Sequence, residues 1–332
     1  MKPNENLGER KIIEIIQSRL DVLPKMPIPF GDDVSAYDIG DNNLAVLKTD
    51  MLVDKTDVPP KMNLRQASRK AVVMNISDFA AKGVQPLALL VSLGLPRTLK
   101  EKDIEEIGRG LNAGAREYGA YILGGDTNEA SDLVISLSVF GMAKRDKVML
   151  RSGANPGDLL AVTGSFGKTA AGLKILLDGL KVQSKIRKIL AESVLMPHAR
   201  LKEGLALSQT KAVTAAIDSS DGLAWSLHEI ARASNVGFLI KKLPTAEEVE
   251  KFAGINKFDL LELTLYGGEE YELVLTIKPK LWRKAEKAVE EVGGELLPIG
   301  TVTVERQVLL EIDGKRQVIE ARGWEHFKNT NV

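Results

Sequence analysis

Cysteine is absent from all 332 residues. That excludes a disulfide framework, a thiolate nucleophile and a cysteine zinc site. Histidine is nearly absent: His198, His228 and His326 stand far apart, so no HExxH zinc motif exists. Net charge is absent as well, with 45 Lys+Arg against 45 Asp+Glu. A general nucleic-acid binder needs a basic excess, so that class loses its support, although a local basic patch stays open. No apolar run approaches the about 20 residues of a membrane span. The opening MKPNENLGERK is polar and lacks a signal-peptide core. The expectation is a soluble, cytoplasmic protein.

What is present is length, apolar content and aspartate. The chain is long for one domain, which predicts two. Strand and helix patterns alternate in both halves, so the expected class is α/β with mixed sheets. The Arg151–Asp158 stretch, RSGANPGD, reads as a loop and divides the chain into 1–149 and 150–332. Residues 7–20 read as an amphipathic helix. Asn63 is placed to cap a helix running to about Lys82, and that helix carries Asn75 and Asp78 among apolar residues. Leu44–Leu52 reads as a strand with Val34–Ile39 as its hairpin partner. Ala120–Leu123 reads as a short strand that stops at Gly124-Gly125-Asp126-Thr127.

The obvious nucleotide motif fails. Gly164-Ser-Phe-Gly167-Lys168-Thr169 follows a strand and opens a helix, but P-loop spacing requires glycine where Val162 stands. The segment reads as a tight strand-to-helix turn. No GxGxxG fingerprint occurs.

The chemistry lies in aspartates. Phe30–Asp57 holds seven aspartates and no glutamate. Asp32 and Asp33 follow a glycine, and Thr49-Asp50 follows an apolar run. Asp126 follows Ala120–Leu123, and Asp218 with Asp221 follows Val213–Ile217. Each has a local alternative: Asp221 or Ser219 as a helix cap, Asp126 as a turn residue, Asp33 bonded to its own backbone, Asp78 on a polar helix edge. As a set they share a problem, because converging carboxylates repel and raise each other's pKa values. Metal ions remove that penalty. With no His or Cys nearby, Mg²⁺ fits better than zinc, and it commonly bridges to phosphate. Helix starts after Asp218-Ser219-Ser220 add N–H donors for an anion. Gly267-Gly268-Glu269-Glu270 puts adjacent acids before a strand, and Arg151 is a candidate phosphate ligand.

Together these stretches resemble the thiamine-monophosphate kinase family, whose superfamily also contains aminoimidazole ribonucleotide synthetase and selenophosphate synthetase. The matching segments are GDD (31–33), KTDMLV (48–53), NISDFAAKGVQP (75–86), LGGDT (123–127), LRSGANPGD (150–158), VTGSFGKTAAGL (162–173), DSSDGL (218–223), YGGEEYEL (266–273) and GWEHF (323–327). TDVPP (56–60) looks like the archaeal branch. The resemblance implies direct, in-line transfer of the γ-phosphoryl group from ATP to thiamine monophosphate, with several Mg²⁺ ions. It also implies a homodimer whose N-terminal strands close a barrel across the two subunits, beside a C-terminal α/β domain.

By motif, the resemblance assigns Mg²⁺ to Asp32, Thr49, Asp50, Asp78, Asp126, Asp218 and Asp221. It assigns ATP to Gly125, Asp126, Arg151 and Ser220, and the thiamine part to Glu269 and Trp324. Asp57 falls where the bacterial pattern has a substrate-contacting histidine. Lys48 stands where that pattern has Thr and is left out of the ligand set. The acceptor is already an ionised phosphate monoester, so no general base is assigned. The rival readings are another ATP-dependent synthetase of the superfamily and a non-catalytic nucleotide or thiamine-phosphate sensor.

Overall fold

A computed structural model describes residues 7–327; the ends of the two expected domains, 1–6 and 328–332, lie outside it. The first sheet starts from a hairpin. Asp41 and Asn42 both take positive φ, 51° and 61°, the geometry of a two-residue turn. They join β1 (Ser35–Gly40) to β2 (Asn43–Val53). With β3 (Pro86–Leu95), β4 (Tyr121–Glu129) and β5 (Val134–Lys144) they form a five-stranded sheet in the order β1-β2-β5-β3-β4. Only the β3–β4 pair is parallel, and helix Glu101–Glu117 makes its crossover.

The second sheet has seven strands in the order β12-β11-β8-β10-β6-β9-β7. They are β6 (Leu159–Val162), β7 (Val213–Asp218), β8 (Gly237–Ile240), β9 (Leu273–Ile277), β10 (Leu297–Thr303), β11 (Val308–Ile312) and β12 (Lys315–Val318). Parallel and antiparallel pairs mix here too, with β8 and β11 parallel. The chain is a mixed α/β fold with two mixed sheets.

Helix Leu64–Lys82 is the spine between them. Asn63 and Gln66 cap it reciprocally, worth about 1 kcal/mol. Gly83 ends it in the left-handed region at φ 64°. From Ala67 to Lys82 nearly every residue is buried, against helices 101–117 and 201–210, β2, β5 and β7. The polar edge that was the alternative reading for Asp78 is therefore not there. One apolar core joins both sheets to the spine helix, including Val46, Leu137 and Leu275 of the strands and Phe79 of the helix. Each fully buried Leu or Phe contributes about 1.5–3 kcal/mol.

Two departures matter. Strand β4 does not stop at Leu123; it continues through Gly124, Gly125 and Asp126 to Glu129, paired with β3. Glycine makes this possible, because a Cβ on Gly125 would lie 1.8 Å from the Val91 carbonyl oxygen. The N-terminal helix spans Glu9–Gln17 and buries none of its residues. It is held by polar contacts instead. Arg10 pairs with Glu325 at 3.0 Å and lies over the Trp225 ring, and the Glu9 N–H donates to the His326 carbonyl. Helices Glu247–Asn256 and Leu260–Leu265 were not anticipated. No described helix is long and apolar enough to cross a membrane.

Candidate active site

Strand β2 alternates. Lys48 and Asp50 point toward the spine helix; Leu47, Thr49 and Met51 point away. Asn75 of the helix accepts the Asp50 N–H at 2.9 Å, which docks helix onto strand beside the aspartate. One turn on, Asp78 meets Asp33 and Asp218, with one oxygen of each within 4.8 Å of the others. Thus the GDD loop, the spine helix and the end of β7 converge.

Cations are built into this cluster. Lys82 is wholly buried; its ammonium lies 2.6 Å from Asp32 Oδ1 and 2.7 Å from Asp33 Oδ2, and it donates to the Ala216 carbonyl at 2.9 Å. Arg151 donates from Nε to Asp33 Oδ1 at 2.6 Å, from Nη1 to the Gly31 carbonyl at 2.7 Å and from its backbone N–H to Asp32 Oδ2 at 3.1 Å. It also reaches Glu229 at 3.3 Å. Lys48 pairs with Asp50 at 3.2 Å and Asp78 at 3.0 Å. Ser77 donates its hydroxyl to Asp218 at 2.7 Å.

The charges are unevenly settled. Burial would raise the Asp33 carboxyl, but Lys82 and Arg151 outweigh it and hold it below the usual range. Burial lifts Asp78 well above that range, only partly offset by Lys48 and reinforced by Asp218 and Asp50. Burial, then Asp33, pushes Asp218 to about 6. Burial and the Glu9 charge push Asp221 to about 7. The acids Asp32, Asp33, Asp50, Asp78 and Asp218 outnumber Lys48, Lys82 and Arg151, and the raised Asp78 and Asp218 carboxyls mark the shortage of positive charge around them. An all-oxygen, under-neutralised donor set suits a hard divalent ion, and Mg²⁺ fits it.

A second cluster lies just beyond the end of β7. The Glu269 N–H donates to the Ser220 carbonyl at 2.6 Å and the Tyr271 N–H to the Ser219 carbonyl at 3.0 Å. The Trp324 N–H donates to the Asp221 carbonyl at 3.0 Å. The 218–221, 268–271 and 324 segments are therefore laced together. Buried Lys70 ties them to the N-terminal half. Its ammonium lies 2.5 Å from Glu269 Oε1 and donates to the Asp57 carbonyl at 2.8 Å. The Asp57 carboxylate itself accepts the Val53 N–H at 2.7 Å, within the single turn Asp54–Asp57. The Trp324 ring stays partly exposed.

The P-loop-like turn is filled from within the chain. Thr169 N–H at the helix start donates to Glu270 Oε1 at 3.0 Å. Burial raises the Glu270 carboxyl to about 7, offset in part by the Thr169 and Gly167 amides and Lys168. The helix start that resembles a phosphate cradle holds a carboxylate.

Not every predicted residue joins the cluster. Register runs Asp50–Leu137–Val91–Gly125 across the sheet, and Met51–Ser136–Ser92–Asp126 in the next row. Asp126 is thus three strands from β2, about 14 Å at normal strand spacing, and on the exposed face with Met51. Thr49 also faces outward and donates its hydroxyl to the Leu137 carbonyl at 2.8 Å. Asp33, Lys70 and Lys82 were not among the expected site residues. A signal for Lys82 was present, since Asn75, Asp78 and Lys82 fall at i, i+3 and i+7 on one helix face. Asp33 was hidden by its neighbour, because the turn that aims one carboxylate inward cannot be read from two adjacent aspartates.

Comparison with known proteins places the whole chain in a family. Residues 31–143 match the AIR synthase related protein N-terminal domain, and residues 155–313 match the corresponding C-terminal domain. The chain is 37% identical over 322 residues to the thiamine-monophosphate kinase of Nitrosopumilus maritimus, covering 97% of this chain and 99% of that one. It is 40% identical over 300 residues to the enzyme of the same name from Pyrococcus horikoshii, covering 90% and 91%. A solved structure described as AaThiL complexed with AMPPCP and TMP superposes with a TM-score of 0.85 at 28% identity, covering 98% and 99%. The chain belongs to the thiamine-monophosphate kinase family, within the AIR synthase related proteins.

Proposed function

We propose that this protein is a thiamine-monophosphate kinase, transferring the γ-phosphoryl group of ATP to thiamine monophosphate to give thiamine diphosphate and ADP. The observation that carries the reading is the meeting of Asp33, Asp78 and Asp218, beside Asp50, in a chain of this family. An oxygen of the acceptor monophosphate attacks the γ-phosphorus, and the bond from that phosphorus to the β,γ-bridging oxygen breaks. The acceptor oxygen is already ionised near neutral pH, so no residue needs to remove a proton. The protein's work is alignment and charge balance.

Asp32, Thr49, Asp50, Asp78, Asp126, Asp218 and Asp221 are the proposed Mg²⁺ ligands, joined by Asp33. Bound Mg²⁺ would neutralise the phosphate oxygens so that two polyanions can approach in line. Gly125, Asp126, Arg151 and Ser220 are the proposed ATP contacts. Glu269, Trp324 and the edge formed by Asp57 receive the thiamine part; a carboxylate and an indole face suit a cationic ring. Residues 1–149 form the domain for ATP, metal and dimer contacts, and 150–332 the domain that completes the site. The protein works in the cytoplasm.

A homodimer is part of the reading. The outer face of the first sheet exposes Tyr37, Ile39, Leu47, Met51, Leu90, Tyr121 and Leu123, an apolar surface that a second copy's sheet would cover as a barrel. A partner sheet would also bring its Gly125 and Asp126 to the acid cluster that they do not reach within one chain.

The test is an incubation with ATP, MgCl₂ and thiamine monophosphate, read for thiamine diphosphate, beside a second incubation with formylglycinamidine ribonucleotide. Thiamine diphosphate and ADP forming in equal amounts is the expected result. Phosphate release only with the ribonucleotide would make the chain a synthetase, and tight binding without turnover would make it a sensor.

A further inference from the structure

Two lysines enter the acid cluster, and they are held differently. Lys82 has no exposure and satisfies its ammonium with Asp32, Asp33 and the Ala216 carbonyl. It is fixed. Lys48 touches only two carboxylates, Asp50 Oδ1 at 3.2 Å and Asp78 Oδ2 at 3.0 Å, and its side chain is 19% exposed. Its flexible four-carbon stem gives its ammonium a freedom that the fully enclosed Lys82 lacks.

The position of that ammonium is the point of interest. Asp50 and Asp78 come from different elements, and the Lys48 nitrogen is what bridges them. A divalent ion held by Asp50 and Asp78 would compete with the ammonium for the same carboxylates. Two cations that close repel strongly in a pocket of low dielectric. One must leave when the other arrives.

We propose that Lys48 is a resident counter-cation: it holds Asp50 and Asp78 together in the metal-free protein and is displaced when a divalent ion binds there. The inference rests on reading Asp50 and Asp78 as metal ligands. It has two linked consequences. The chain stays folded without metal, and it binds metal at this position more weakly than the carboxylates alone would.

Thermal melting in EDTA and in MgCl₂, with a Mn²⁺ titration followed by the free-ion EPR signal, tests this on wild type, K48M and K48R without nucleotide. Wild type should melt at similar temperatures in both buffers. K48M should melt lower in EDTA, gain a larger upward shift from MgCl₂ and bind Mn²⁺ about tenfold more tightly. K48R keeps the charge and should follow wild type. Equal Mn²⁺ affinity and equal MgCl₂ shifts in wild type and K48M would overturn the role of Lys48 and leave the metal-ligand reading standing. No response to either ion in any of the three proteins would overturn both. A K48M protein unfolded in EDTA and in MgCl₂ alike would also overturn the proposal, because the ion could then not replace the ammonium.

Discussion

Lys70 shows how a single buried charge can organise the proposed substrate edge. It is among the largest fully buried side chains, on a helix whose remaining faces are packed. Its ammonium holds Glu269, at positive φ of 63°, against the Asp57 carbonyl. Replacing it by methionine leaves the Glu269 carboxylate without its partner and loosens the loop that carries it. In the K70M variant the KM for thiamine monophosphate should rise about tenfold while the KM for ATP stays unchanged. Equal rises in both would assign Lys70 a general structural role. At this scale the sequence was informative where chemistry broke a pattern. Asp78 on an apolar helix drew attention because an isolated buried carboxylate is costly. Lys70 broke the same pattern, but a lysine at a helix surface is so ordinary that only its burial reveals it, whereas Lys82 shares a helix face with Asn75 and Asp78. The choice between Asp32 and Asp33 depends on how one turn is rotated, which no residue identity encodes.

Elements carry the next level of the argument. The spine helix was legible from its cap, its apolar content and its end at Gly83. Strand β4 was legible only in part, because two glycines ordinarily stop a strand. Here they extend it, since β3 approaches too closely for a side chain at position 125. The turn before helix Lys168–Asp178 was legible as a turn, but Glu270 arrives from about a hundred residues away and its docking is a tertiary event. That docking has a pH signature. The folded-state pKa of Glu270 is raised to about 7, from an ordinary 4.5. The folded protein therefore keeps a proton that the unfolded chain releases near pH 4.5, and stability falls as pH rises toward 7, then levels off. The loss is on the order of 3 kcal/mol. Urea unfolding at pH 5 and pH 8 should show wild type losing about that much more than E270Q. Parallel losses in the two proteins would contradict the buried, raised carboxyl.

For the whole molecule, the class and much of the element order followed from hydrophobic periodicity, apart from helices Glu247–Asn256 and Leu260–Leu265, and the two mixed sheets bear out the mixed α/β expectation. Which face of the first sheet lies open was not legible, because alternating strands look alike whether the second face meets water or another chain. The open face joins two otherwise separate observations: exposed apolar side chains such as Leu123, 71% exposed, and Asp126 stranded on the wrong side of the sheet from Asp78. If a second copy supplies Asp126, D78N and D126N proteins should complement. Random pairing makes half the dimers mixed, each with one intact site of two, so roughly a quarter of wild-type activity should return on mixing. No recovery after confirmed subunit exchange would place all the site residues in one chain.

The most direct measurement follows the transferred group itself. ATP labelled in its γ-phosphate, incubated with thiamine monophosphate and MgCl₂, should place the label in the terminal phosphate of thiamine diphosphate and leave ADP unlabelled. D78N, folded by circular dichroism, should transfer at least about a thousandfold more slowly at saturating MgCl₂. Label released only as free phosphate, or near-normal transfer by D78N, would contradict the account.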